Sequence, residues 1–371
     1  MAQRERLTIR EVAAKAGVSI QTVSRVLNNR PDVAPETLRR IQAVIEETGY
    51  APNMLARSLT QGRSHVLGVV AYGLEFFGPS RVVTAIERQA AEMGYGISLN
   101  LILEPETGDV DQLLNTLCAR QVDGIIWAIP EVGTNRAWSQ SKGSEMPVPV
   151  MLVGGMASEP NVPCIGVDNA TIGRLATEHL LACGAKTVGI ITGPLNWWEA
   201  RQRLQGWRQT LQAHGLTASD RLVFEGDWGV ASGEQGLHRL LRECPEIDAI
   251  FASNDQMALG VLHAAHRVGR RVPEDLAVVG VDNMAEGSHF WPPLTTVDQP
   301  IGDAGALAVK EIDGLIGRSR QPRRAQAQEP APEMTLLTPK LIVRESTRRP
   351  VTVEPPNSVA SPAVPGGSRG H

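Results

Sequence analysis

The sequence predicts an α/β body made of two doubly wound lobes, preceded by a small all-α headpiece of helix-turn-helix type. Three observations carry that reading. Residues 8–49 hold three short helical patterns, the first two joined by a tight turn at Gly17. From Val66 onward, short apolar runs alternate with stretches of helical period, as in parallel strands joined by crossover helices. The alternation then recurs as a second set, so two similar halves are expected. A chain of 371 residues exceeds one typical domain and gives each unit enough length to bury a core.

Thr8-Ile9-Arg10-Glu11 reads as a capping box, with Thr8 closing the first turn and Glu11 reaching back to the amide of Thr8. The helix it opens carries apolar Ile9, Val12, Ala13 and Ala16, and it stops at Gly17, a residue able to take the left-handed conformation. Ser19 then caps a second helix in which Val23, Val26 and Leu27 recur at the spacing of a buried stripe. Ile20, Gln21, Ser24 and Arg25 point away from that stripe, and a slim helix with a Gln and an Arg near its start suits the DNA major groove. Short capped amphipathic helices are usually packing elements; the tight turn before this one and a third helix after it argue for more. That third helix starts at Pro35, presents Leu38, Ile41, Val44 and Ile45 on one face, and ends at Gly49. Charge agrees with a DNA-facing end: residues 1–63 hold ten Lys and Arg against six Asp and Glu, whereas the rest holds 26 against 34.

Residues 53–63 form a short helix in waiting. Asn53 can cap it, Leu55, Ala56 and Leu59 share a face, and Gly62 ends it. Isolated helices below about 12 residues are marginal in water, so this one needs a partner; a flexible linker is the plainer alternative. In the body, strands are expected near 66–71, 97–103, 122–128 and 148–153, with helices near 82–93 and 111–120. The second set has strands near 187–192, 222–224, 249–252 and 277–281, and helices near 171–182, 200–214, 232–242 and 256–268. Beyond Arg344 the chain turns Pro-, Ser- and Gly-rich and carries no apolar heptad, so residues 346–371 are expected to be a disordered tail.

A two-lobed α/β body with crevices at its strand ends has the architecture of a small-molecule receptor. Enzyme classes find little support: there is no HExxH, no Walker GxxxxGK[ST] and no GxGxxG after a strand. Cys118, Cys164, Cys183 and Cys244 lie far apart without a CxxC pair and read as reduced core residues; neither a metal nor another cofactor is expected. With no signal peptide at its start and no apolar run of roughly 20 residues, the chain is expected in the cytoplasm.

Val12-Ala13-x-x-Ala16-Gly17-Val18-Ser19, Thr22-Val23-Ser24-Arg25-Val26-Leu27-Asn28 and Gly49-Tyr50-x-Pro52-Asn53 resemble the headpiece of the lac-repressor (LacI/GalR) family of bacterial transcription regulators. The resemblance implies that Ile20, Gln21 and Arg25 read bases, that Ser19, Thr22, Ser24 and Asn28 sit near phosphates, and that 53–63 is a hinge helix. In that hinge Asn53, Ala56 and Leu59 would meet DNA, and Leu59 would wedge into the minor groove at the centre of a pseudo-palindrome bound by a homodimer. It further implies a periplasmic-binding-protein-like core over 64–345, behind a headpiece over 1–52. Lobe 1 would comprise about 64–167 and 299–326, and lobe 2 about 168–298 and 330–345.

Glu199-Ala200-Arg201-Gln202-Arg203, Glu225-Gly226-Asp227-Trp228, Asn254-Asp255-Gln256-Met257, Val279-Gly280-Val281-Asp282 and Pro292-Pro293-Leu294-Thr295-Thr296-x-x-Gln299 are similar to effector-binding segments of the family. The resemblance implies that Arg203, Asn254, Asp282 and Gln299 bond sugar hydroxyls and that Trp228 lies against the sugar ring, with Phe77, Pro79 and Trp197 also at the ligand. Planar Arg, Asn and Asp groups match vicinal hydroxyls, and an indole covers an apolar C–H face. Taken singly, Asn254 and Asp282 read as loop or helix-cap residues and Trp228 as core. Yet Phe76, Phe77, Trp197, Trp198, Trp228 and Trp291, out of only 15 aromatic residues, fall in loops that the family turns to the ligand or cleft. The family's namesake has a pocket Asp at the position of Gly154 and pocket Phe residues at Val167 and Ile301, and small residues where this chain has Trp197-Trp198. A galactoside-like sugar that releases a repressor is therefore expected, without its being the same galactoside. A purine or phosphorylated corepressor, and a sugar-binding transport protein of the same core, remain the alternatives; the headpiece argues against transport.

Overall fold

Thr8 opens the first helix as the capping box requires: its hydroxyl accepts from the Glu11 amide, and its own N–H donates to the Glu11 carboxylate at 2.6 Å. The computed structural model describes residues 7–27, 30, 32–50, 63–103, 110–129, 145–154, 162–319 and 334–347. Helix α1 (Ile9–Ala16) ends at Gly17, whose φ of 63° is left-handed, and α2 (Ile20–Leu27) follows with Ser19 Oγ accepting from the Thr22 amide at 3.1 Å. Helix α3 (Pro35–Thr48) closes the headpiece. Val12, Val23 and Ile41 are wholly buried where the three helices meet. So few fully enclosed side chains make each one matter, and Ile41→Ala is worth about 2–5 kcal/mol.

The body has two sheets of six strands each. The first contains β1 (Val66–Ala71), β2 (Gly96–Leu101), β3 (Gly124–Ala128), β4 (Val150–Val153), β5 (Cys164–Val167) and β11 (Met334–Leu337), in the order β11-β5-β4-β3-β1-β2 and parallel throughout. Its interior strands are buried on both faces, which their continuous apolar runs anticipate. Helix α4 (Phe77–Glu92) covers one face with Ile86 and Ala90, and α5 (Val110–Ala119) the other with Leu114 and Leu117.

The second sheet contains β6 (Val188–Thr192), β7 (Val223–Glu225), β8 (Ala249–Ala252), β9 (Ala277–Val281), β10 (Thr295–Asp298) and β12 (Lys340–Ile342), ordered β12-β10-β9-β8-β6-β7. Only β12 is antiparallel to its neighbour. Four helices pack on it: α6 (Asn169–Ala182), α7 (Trp198–Ala213), α8 (Val230–Glu243) and α9 (Asp255–Arg267). A tenth helix, α10 (Ile301–Ser319), follows β10 but crosses back to the first sheet, against α4.

The chain thus passes between lobes three times: at Asp168, at Gln299 and Pro300, and at Thr338 and Pro339. The last passage differs from the sequence expectation, which gave 330–345, with a last strand near 334–343, wholly to lobe 2. Instead β11 pairs with β5 in lobe 1 and β12 with β10 in lobe 2, because Pro339 interrupts the run and cannot donate to a ladder. The tail boundary moves too. Ser346 and Thr347 are buried in lobe 2, where Ser346 Oγ donates to the Val278 carbonyl at 2.6 Å and accepts from the Thr295 amide at 2.8 Å. Asn28, the residues Asn53, Ala56 and Leu59 expected in a hinge, and the chain from 348 lie outside the described residues. None of the four cysteines is in a disulfide: Cys164, Cys183 and Cys244 are buried and Cys118 is half-buried. No described helix is long and apolar enough to cross a membrane.

Candidate functional site

Between the carboxyl ends of the two sets of strands lies a cavity of about 140 Å³. Its lobe-2 side is polar. Arg203, on the second turn of α7, enters the cavity wall almost wholly buried. Its guanidinium donates to Asn169 Oδ1 at 2.8 Å, to the Ser253 carbonyl, and to Gln299 Oε1 at 3.1 Å. Burial lowers its pKa, opposed by the charges of Asp282 and Glu199.

Gln299 in turn donates its amide to Asp282, so an uninterrupted chain runs Arg203–Gln299–Asp282. Burial pushes the Asp282 carboxyl up to about 6, with Arg203 and Gln299 pulling the other way. Asp282 and Trp228 both hold positive φ, 114° and 71°, where a Cβ is strained. Such strain costs about 1–3 kcal/mol each and collects at binding sites.

Trp228 is placed from both sides. Its indole lies on Gly193, where a Cβ would stand 2.1 Å from Cζ2, and the Arg203 guanidinium lies 5.6 Å from its ring centroid. Trp197 meets it edge-on at 5.7 Å and continues to Tyr72 of lobe 1 at 5.8 Å. Asn254 holds its backbone: Nδ2 donates to the Trp228 carbonyl at 2.9 Å, while Oδ1 caps α9 by accepting from the Met257 amide at 2.8 Å. The plain reading of Asn254 as a helix cap and its place in the cavity wall therefore both hold.

Lobe 1 faces this polar wall with an apolar one. Phe77 and Pro79, at the start of α4, join Phe76, Val82, Ile129 and Ile165, and no described lobe-1 lining residue has a polar side chain. All eight cavity residues expected from the sequence thus line one space. Two expected aromatics do not: Trp198 is buried at the start of α7 outside the lining, and Trp291 is 93% exposed. Sequence reasoning missed Asn169, which fixes Arg203, and Glu199, whose Oε1 stands 3.4 Å from where a Cβ on Gly154 would be. Both follow helix starts, and the Glu199-x-x-x-Arg203 spacing, one helical turn, was the available signal. Among the described residues no group of His, Cys, Asp or Glu could hold a metal ion.

In the headpiece, Ile20, Gln21 and Arg25 are exposed on α2, opposite buried Val23 and Val26. Ser19 and Thr22 hydroxyls bond each other at 2.9 Å at the start of the helix, beside partly exposed Ser24. Among the described residues Arg25 pairs with Asp32 at 3.6 Å, with both side chains more than half exposed.

Residues 8–53 match the family of bacterial regulatory proteins, lacI family, and residues 177–347 match a periplasmic binding protein-like domain. The chain is 33% identical over 342 residues to the ribose operon repressor of Escherichia coli (strain K12), covering 91% of this chain and 99% of that one. Among solved structures it is similar to the lac repressor dimer bound to operator and the anti-inducer ONPF, with a TM-score of 0.79, 30% identity, and 93% and 100% of the two chains covered. It is also similar to a CelR–cellobiose complex, with a TM-score of 0.67, 30% identity, and 92% and 100% covered. With headpiece and body both matched, the chain belongs to the lacI family of bacterial regulatory proteins and is a DNA-binding regulator of transcription, not an enzyme.

Proposed function

We propose that this regulator represses sugar-utilisation genes and is released when a neutral, galactoside-like sugar enters the interlobe cavity. The carrying observation is the division of that cavity: the Arg203–Gln299–Asp282 chain, Asn254 and the Trp228 indole on one wall, an apolar surface on the other. Carboxylate and amide acceptors suit hydroxyl donors, an indole suits the C–H face of a pyranose, and the cavity offers a phosphate only one guanidinium, already bonded to three protein acceptors. A CelR structure holds cellobiose, which favours a sugar here over a purine or phosphorylated corepressor.

On the DNA side, a homodimer would place two copies of α2 in successive major grooves, with Ile20, Gln21 and Arg25 on base edges and Ser19, Thr22, Ser24 and Asn28 at phosphates. Residues 53–63 would act as the hinge, with Asn53 and Ala56 at DNA and Leu59 opening the central step. A sugar that prefers one arrangement of the lobes shifts the dimer toward it and weakens operator binding, by about 5- to 150-fold for a coupling of about 1–3 kcal/mol. Calorimetry with galactosides, glucosides and purines, paired with anisotropy on a duplex the protein itself selects, tests this. Sugar heat and a weaker duplex complex support it; clear purine heat with none from millimolar sugar removes it.

A further inference from the structure

Arg63, the first described residue after 51–62, is held by three side chains from separate parts of lobe 1. Its guanidinium donates to Asp123 Oδ2 at 3.2 Å, to Asp313 Oδ1 at 3.2 Å, and to the Tyr95 hydroxyl. Tyr95 also donates to Asp313 at 2.6 Å, and the Arg63 guanidinium lies 5.4 Å from the Tyr95 ring centroid. Asp123, almost wholly buried, further accepts from the Ser64 and His65 amides at 3.0 and 3.1 Å, so backbone as well as side chain is fixed here.

The far ends of the elements that supply these groups lie at the cavity. Asp123 precedes β3, whose other end leads to the lining residues Ala128 and Ile129. Tyr95 follows α4, which begins in the cavity wall with Phe77, Pro79 and Val82. Asp313 lies on α10, which begins there with Ile301 and Ala304; at 1.5 Å per residue the two sites are about 14 Å apart along the helix. At the cavity end these helices touch so closely that a Cβ on Gly305 would meet the Val82 carbonyl at 2.7 Å. Packing that tight transmits a displacement of one helix to the other.

We infer that Tyr95, Asp123 and Asp313 are positioning residues that clamp Arg63, so that the α4–α10 pair ties the lobe-1 cavity wall to the direction in which the chain leaves for 53–62. This rests on the hinge reading given above. A clamp at this point orients the hinge for operator DNA, which needs a defined geometry, and contributes little to non-specific binding, which needs only charge.

The test compares full-length wild type, Tyr95→Phe, Asp313→Asn, their double variant and Leu59→Ala on two duplexes at one salt concentration. One duplex carries the sequence the wild type selects from a random library; the other is of unrelated sequence. Tyr95→Phe, which alters no charge, and Asp313→Asn should each weaken the selected duplex at least tenfold and the unrelated one less than threefold. The double variant should lose less than the product of the two, since both act through Arg63. A selected-duplex affinity within threefold of wild type in both single variants, or equal losses on both duplexes, overturns the clamp. Leu59→Ala separates the two ideas: its selective loss alongside an inert Tyr95→Phe overturns the clamp alone, whereas equal loss on both duplexes removes the hinge and the clamp with it.

Discussion

Gln299 stands between Arg203 and Asp282, accepting from the guanidinium at 3.1 Å and donating to the carboxylate, so these two opposite charges of the cavity communicate through an amide. Gln299 lies on a crossing between lobes, which ties the state of this chain to the arrangement of the lobes.

The first consequence is a pH dependence of ligand binding. The Asp282 carboxyl is pushed up to about 6, and an ionised carboxylate is the better acceptor for hydroxyls, so sugar affinity should fall as pH drops from 7.5 to 5. Gln299→Leu removes a bond to the charged form and should move the midpoint of that fall to higher pH, besides weakening binding. Isothermal titration across the range reads both effects, and a midpoint that stays put would show that Gln299 does not tune Asp282.

Gly193→Ala should displace the Trp228 indole, because its methyl would lie 2.1 Å from the ring. We expect sugar affinity at least tenfold lower and a changed tryptophan emission. Operator binding without ligand should stay within twofold.

Asp255 gives a stability signature. Fully buried, it accepts from Thr296 Oγ1 at 2.7 Å and the Met284 amide at 2.8 Å, yet burial and the neighbouring Asp282 carry its pKa up to about 8. A carboxyl raised in the fold contributes stability present below its unfolded value near 4 and lost as pH rises through 8. Asp255→Asn escapes this penalty, and Thr296 can turn its hydroxyl to accept from the new amide. Its unfolding free energy from denaturant titration should match wild type at pH 4 and exceed it at pH 8.5 by at least about 1.4 kcal/mol, the worth of one pKa unit.

Arg25→Ala should weaken the selected duplex by about 1–3 kcal/mol and relax preference at one base position. Its exposed pairing with Asp32 at 3.6 Å is cheap to lose, so headpiece stability should change by less than about 0.5 kcal/mol. Ile41→Ala, wholly buried, should do the reverse: unfold the headpiece first, and lose both DNAs together.

Truncation after Thr347 should leave lobe 2 intact, whereas truncation after Arg344 strips buried partners from the Thr295 amide and the Val278 carbonyl. Each orphaned group costs about 1–3 kcal/mol, so thermal melts of the two truncations should separate clearly.

Local chemistry was legible wherever one residue type answers one backbone need. Thr8 with Glu11, Gly17 and Ser19 marked the headpiece helices because caps and left-handed turns admit few residues. The buried strands were readable where they formed continuous apolar runs, but β5, interrupted by Gly166, and β10, with three polar residues out of four, offered no such run. The split of 334–342 between two sheets was hidden, since strand signals say nothing about partners. Single cavity residues such as Asn254 and Asp282 were ambiguous by type and gained meaning only with the family's segments around them. Glu199 and Asn169 escaped because their place depends on how α6 and α7 face lobe 1, which is a matter of tertiary packing.

The three crossings at Asp168, at Gln299 and Pro300, and at Thr338 and Pro339 act together as a mechanism in the engineer's sense. One strap would let the lobes swing and swivel freely; three straps, each only one or two residues long, remove most of those freedoms and leave chiefly a rocking about the line they define. A ligand that fills the cavity would therefore select an angle rather than search among many poses, and its binding on one side of that line would become a displacement of fixed direction on the other.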